Sequence, residues 1–139
     1  MGAFFIAPPK KDRETMTPRN AYLFSNSEEV KRVFPNLFSE NNVIVITRKN
    51  PRTFPVGDNM IIYWITRIEE CSICDGSRIF TISPTKMDIL INPITKGLKQ
   101  GYNVVYIDAF EYLMLENGFE SAFKFLLSLK DRAWRRMEP

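Results

Sequence analysis

The stretch Asn103 to Asp131, NVVYIDAFEYLMLENGFESAFKFLLSLKD, decides the fold. Val104, Val105, Tyr106 and Ile107 are β-branched or aromatic, without polar alternation. Such a run reads as a strand buried on both faces, which belongs at the centre of an α/β sheet. Asp108 follows at the carboxyl end of that strand, where open α/β sheets bind their ligands. It has two readings: a metal-holding aspartate of the kind found in phosphate-binding ATPases, or the cap of a helix over Ala109 to Leu115. The first lacks its partners. No G-x-x-x-x-G-K-[ST] occurs in the chain, so the backbone cradle, the phosphate lysine and the magnesium hydroxyl are missing. Asn117-Gly118 should then close the helix in a left-handed conformation. From Phe119 to about Arg136 a second helix sets Ala122, Phe123, Leu126, Leu127, Leu129, Ala133, Trp134 and Met137 over a broad apolar surface.

Working outward, Val43 to Thr47 (VIVIT) is a second apolar strand suited to a central position, and Met60 to Ile65 (MIIYWI) a third. Shorter strands are expected at Ala21 to Phe24 and Arg78 to Ile82. Val30, Val33, Phe34, Leu37 and Phe38 recur at helical spacing, with Pro35 forcing a kink or a stop near Phe34. Ser83-Pro84 reads as a helix start. Met87, Leu90, Ile91, Ile94 and Leu98 then share one face up to Gly101, with Pro93 expected to kink the helix. Strands and amphipathic helices alternate from Ala21 onward. The expected fold is therefore a three-layer α/β domain: a mostly parallel sheet of four to five strands with helices on both faces. Residues 1–20 read as an amino-terminal arm and residues 21–139 as a single domain.

With 139 residues, 45% apolar content and eleven Phe, the chain can bury one sizeable core. The formal charge of +3 permits attraction to polyanions without implying it. No apolar run approaches the ~18 residues of a membrane span, and MGAFFIAPP lacks the pattern of a secretory signal, so no membrane association and a cytoplasmic location are expected. The absence of histidine removes the commonest general base, the Ser-His-Asp and Cys-His arrangements and most catalytic zinc sites. Neither a catalytic residue nor a metal site nor a cofactor is assigned.

Arg48, Lys49 and Arg52 follow a strand end directly and, with Asp108 and Glu111, are the candidates for a ligand edge; the plainer reading of the basic loop is a solvated turn that stays charged because it is exposed. Glu111 and Glu116 do not share a helix face, so paired-carboxylate chemistry is not expected between them. Arg132, Arg135 and Arg136 at the end of the last helix suit either its dipole or a nucleic-acid or acidic-partner contact. Cys71-Ser72-Ile73-Cys74 has the spacing of half a zinc site, but the other half is missing; free thiols, a Cys71–Cys74 disulfide and thiol chemistry stay open. The apolar tip Phe4-Phe5-Ile6 and the face carrying Phe123 and Trp134 are more nonpolar surface than one short sheet covers. A two-fold homodimer through these residues is the expected remedy, with the arm folding back on its own helix as the alternative.

Taken together, the segments resemble the archaeal family of domains of unknown function numbered 835. The matching pieces are Ala21-Tyr22-Leu23, Ile46-Thr47-Arg48 with Pro51, Trp64-Ile65-Thr66, Asp108 with Glu111-Tyr112-Leu113, and Asn117-Gly118-Phe119 leading into Lys124-Phe125-Leu126 and Leu129-Lys130-Asp131. The resemblance implies a degenerate relative of the RecA-type ATPase core, without its phosphate loop, of the kind that accompanies sensory or regulatory domains. No activity comes with it. The chain departs from the family pattern at Asp108-Ala109, where Asp-Gly is usual. It also stops at Pro139, where a further strand is common, so a truncated member or an open sheet edge is expected. The expected function is a regulatory or binding module acting on another protein. Nucleic-acid or ribonucleoprotein binding through the basic clusters is the alternative, and an enzyme running on Asp108 and Glu111 the second alternative.

Overall fold

The computed structural model describes residues 3–6, 21–24, 32–33, 35–51, 57–67, 78–102, 104–108 and 110–137, with the backbone alone for 3–6, 21–24 and 132–137. In chain order the elements are β1 (Ala3–Ile6), β2 (Ala21–Phe24), α1 (Leu37–Glu40), β3 (Val43–Thr47), β4 (Met60–Ile65) and β5 (Ile79–Ile82). A 3-10 turn (Met87–Leu90) then runs into α2 (Ile91–Lys99), followed by β6 (Val104–Ile107), α3 (Phe110–Asn117) and α4 (Phe119–Met137). They build one six-stranded sheet in the order β2-β1-β6-β3-β4-β5. The block β6-β3-β4-β5 is parallel throughout. β1 runs antiparallel to both β2 and β6.

β3 and β6, whose apolar residues do not alternate with polar ones, take inner positions. Every residue of β3 and of β6 is buried, as a strand covered on both faces requires. Alternation along the strands sends Ile44, Ile46, Val105 and Ile107 to one face, where they meet Leu90, Ile94, Phe110, Leu113, Leu126 and Leu129 of the helical layer. Val43, Val45, Ile62, Val104 and Tyr106 point to the other face, against Leu37 and Phe38 of α1. Phe38 meets Tyr106 edge-on, ring centroids 5.0 Å apart. Helices thus cover both faces of a mostly parallel sheet. α2 approaches β3 closely at Gly97, where a Cβ would stand 2.9 Å from Ile44 Cδ1.

Two local expectations are corrected. Residues Ala3–Ile6 of the expected arm are a sheet strand, which brings the strands among the described residues to six. Ser83-Pro84 does not start the helix: Ser83 closes a turn by accepting the Lys86 amide on its carbonyl, and the helical path begins at Met87. Pro93 is the third residue of α2 and the seventh of the helical path that begins at Met87. At Pro35 the chain does turn, separating helical residues 32–33 from α1. Gly118 joins α3 to α4 with φ of 86°, the left-handed conformation expected there.

Candidate functional site

The carboxyl ends of β3, β4 and β6 converge at one edge of the sheet. Thr47 is the last residue of β3 and is 1% exposed; its register partner on β4 is Trp64. Asp108 extends β6 by one ladder bond, its amide donating to the Ile46 carbonyl at 3.2 Å. This places two polar side chains side by side at the top of the core. Thr47 Oγ1 donates to Asp108 Oδ2 at 3.1 Å and accepts the Lys49 amide at 3.0 Å. One hydroxyl therefore both holds the carboxylate and turns the chain after β3.

Burial pushes the Asp108 carboxyl above the ordinary carboxylate range. The Thr47 hydrogen bond, the positive charge of Lys49 and the residue's own amide oppose that shift. Tyr106, on the same strand face, has its phenol pushed up by burial and by the charge of Asp108. The Trp64 indole donates to the Arg48 carbonyl at 3.2 Å, and the Arg48 guanidinium lies 3.6 Å from the centroid of the Tyr112 ring on α3. Arg67, beyond β4, pairs with Glu116 of α3.

Of the residues singled out for a ligand edge, Arg48, Lys49 and Asp108 meet here. Glu111 is exposed in the first turn of α3, and Arg52 lies outside the described residues. The contact described for the Asp108 carboxylate is the Thr47 hydroxyl, and the helix starts at Phe110. Sequence reasoning gave no role at this edge to Thr47, Tyr112 or the Arg67–Glu116 pair. A threonine closing an otherwise apolar strand, and a tyrosine one turn after Asp108, were the available signals. Among the described residues no three His, Cys, Asp or Glu side chains gather, and no helix is long and apolar enough to cross a membrane.

A second surface lies on the helical layer. A cleft of about 370 Å³ separates the start of α2 from α3 and α4, floored by Met87, Ile91, Leu113 and Phe125. Asn117 closes one end by donating to the Pro84 carbonyl at 2.8 Å. Away from the cleft lining, Leu115 of α3 is 80% exposed, and on α4 Phe119 is 64%, Phe123 45% and Leu127 49% exposed. The Phe119 and Phe123 rings stack with centroids 5.6 Å apart. α4 thus carries two apolar stripes: Ala122, Phe125, Leu126 and Leu129 in the core, and Phe119, Phe123 and Leu127 at the surface. For Phe4, Phe5, Arg132, Trp134, Arg135 and Arg136 the backbone is placed in β1 or α4 and the side chains lie outside the described residues, as do Cys71 and Cys74 entirely.

The fold and this edge define a class: an α/β domain with a parallel core in which Thr47 and Asp108 are hydrogen-bonded at the carboxyl ends of two neighbouring strands. A family model described as "Protein of unknown function (DUF835)" matches residues 23–136, and the chain belongs to that family. No curated protein and no solved structure matches it.

Proposed function

We propose that this domain is a non-catalytic regulatory module that works by binding another protein, through the helical layer rather than through the ligand edge of its sheet. The observation that carries the reading is the exposed apolar stripe Phe119, Phe123 and Leu127 of α4, with Leu115 exposed on α3. Contiguous exposed apolar surface of this kind marks interaction sites on soluble domains. Support also comes from the sheet edge, where Thr47 and Lys49 engage Asp108, Tyr112 carries Arg48, and Glu116 holds Arg67. Of the cations that would serve nucleic acid, Arg48 is stacked on an aromatic ring rather than extended, so the protein-binding reading is preferred.

Calorimetric titration with magnesium nucleotides, inorganic phosphate and single-stranded RNA tests the proposal, with Asp108→Asn as control. No saturable heat is expected from any of them. Stoichiometric nucleotide binding, or turnover, that disappears in Asp108→Asn would overturn it.

A further inference from the structure

We infer that the occupant of the α4 stripe is a second copy of this chain, paired antiparallel about a two-fold axis at the height of Leu127 and Ser128; this rests on the protein-binding reading above and names its partner. The first support is the shape of the surface. Phe119, Phe123 and Leu127 follow one another at single-turn spacing, forming a narrow ridge that continues the buried face of the same helix. A ridge is filled by another helix more readily than by an extended peptide or a small ligand.

The second support is the charge pattern on the flank of that ridge. Glu120, Lys124 and Asp131 lie on the side away from the core, and Lys124 sits one turn from Glu120 at 3.4 Å. Lys124 and Asp131 are two turns apart, so both occupy the same flank. They also stand equally far on either side of the point between Leu127 and Ser128. An antiparallel two-fold pair therefore puts Lys124 opposite the partner's Asp131, and Asp131 opposite the partner's Lys124. By the same symmetry Glu120 falls opposite position 135, which is an arginine. A parallel pairing would set Lys124 against the partner's Lys124, and an unrelated partner would have no reason to require a pattern symmetric about one point. The antiparallel arrangement also opposes the two helix dipoles favourably.

A seam of one helix, with Leu115 of α3 at its end, is smaller than the roughly 800 Å² per partner of a standard interface, so the pairing belongs to the weaker class, with a micromolar dissociation constant. Sedimentation equilibrium of the full chain tests it. Wild type should pass from one chain to two over the micromolar range, and Phe123→Glu should weaken the pairing roughly thirtyfold or more. Lys124→Asp and Asp131→Lys should each weaken it by roughly fivefold, since each turns two attractive contacts into repulsive ones. An equimolar mixture of the two single variants should recover wild-type association, because each then faces its opposite charge. Circular dichroism on every variant separates lost pairing from lost folding.

Three results would overturn the inference: a wild-type chain that stays single at tens of micromolar, pairing indifferent to Phe123→Glu, or single variants whose mixture does not recover. A wild-type chain that stays single but binds anionic lipid vesicles through Phe123 would give the stripe to a membrane surface and equally overturn it. None of these bears on nucleotide or RNA binding at Asp108, whose detection is what would sink the protein-binding reading itself.

Discussion

Thr47 Oγ1 donates to Asp108 Oδ2 at 3.1 Å, joining the carboxyl ends of two neighbouring parallel strands above a core in which Ile46 and Ile107 are fully buried. The pair is a clasp on the sheet as well as a polar site. Replacing Thr47 by Val keeps the shape and removes the donor, leaving a half-buried carboxylate short of a partner. We expect a loss of about 1.5–3 kcal/mol in urea unfolding, the range for hydrogen bonds to charged groups, while Thr47→Ser costs less. Equal stability of wild type and Thr47→Val would show that the clasp contributes nothing.

The same carboxylate makes stability depend on pH. Its pKa is raised above the ordinary 3.8 by burial, so between the unfolded and the folded value the native state holds more proton than the unfolded chain. Stability contributed by Asp108 is therefore greatest at the acidic side of that window and falls as pH rises through the raised value. Asp108→Asn, which can still accept from Thr47, should remove this slope, so that the variant gains on wild type between acid and neutral pH. Denaturation midpoints across the series read it directly. A difference between the two proteins that grows toward acid would reverse the sign and refute the assignment.

Gly118 has φ of 86° with no atom near the place of a Cβ, so the conformation alone demands glycine. Gly118→Ala should cost about 1–2 kcal/mol, and Gly118→Asn less, because a short polar side chain tolerates the left-handed region. Equal losses for the two in thermal unfolding would point to another cause.

Two leucines on α4 separate packing from interaction. Leu129 is 1% exposed and Leu127 49%. Leu129→Ala should destabilise the monomer by about 2–5 kcal/mol, as core truncations do, whereas Leu127→Ala should cost below about 1 kcal/mol. Comparable losses measured at concentrations where the chain is single would mean that the outer stripe is part of the core.

The parallel core was legible in the residues. VIVIT and VVYI have no polar alternation, and a strand covered on both sides is what carries such a run, which puts β3 and β6 inside the sheet on sequence alone. The β1 strand was not legible. AFFI is too short for periodicity, and its pairing is with Val105, Tyr106 and Ile107, far along the chain. Ser83-Pro84 misled because a capping hydroxyl before proline marks a helix start only locally: here the Ser83 carbonyl accepts the Lys86 amide in a turn, and the helical path begins at Met87. At the sheet edge, strand ends placed Arg48 and Asp108 together, but which groups touch is set by register. Nothing in the order of residues pairs Thr47 with Asp108 or lays Arg48 on Tyr112.

We propose that this domain acts through the α3–α4 surface and not through the edge at Asp108. Hydroxyl-radical footprinting of the full chain over a dilution series measures it at the side chains themselves. Oxidation of Leu115, Phe119, Phe123 and Leu127 should fall several-fold as concentration rises through the micromolar range, while that of Trp64 and Tyr112 stays constant. Protection confined to Trp64 and Tyr112, with the α4 stripe oxidised equally at every concentration, would contradict the claim.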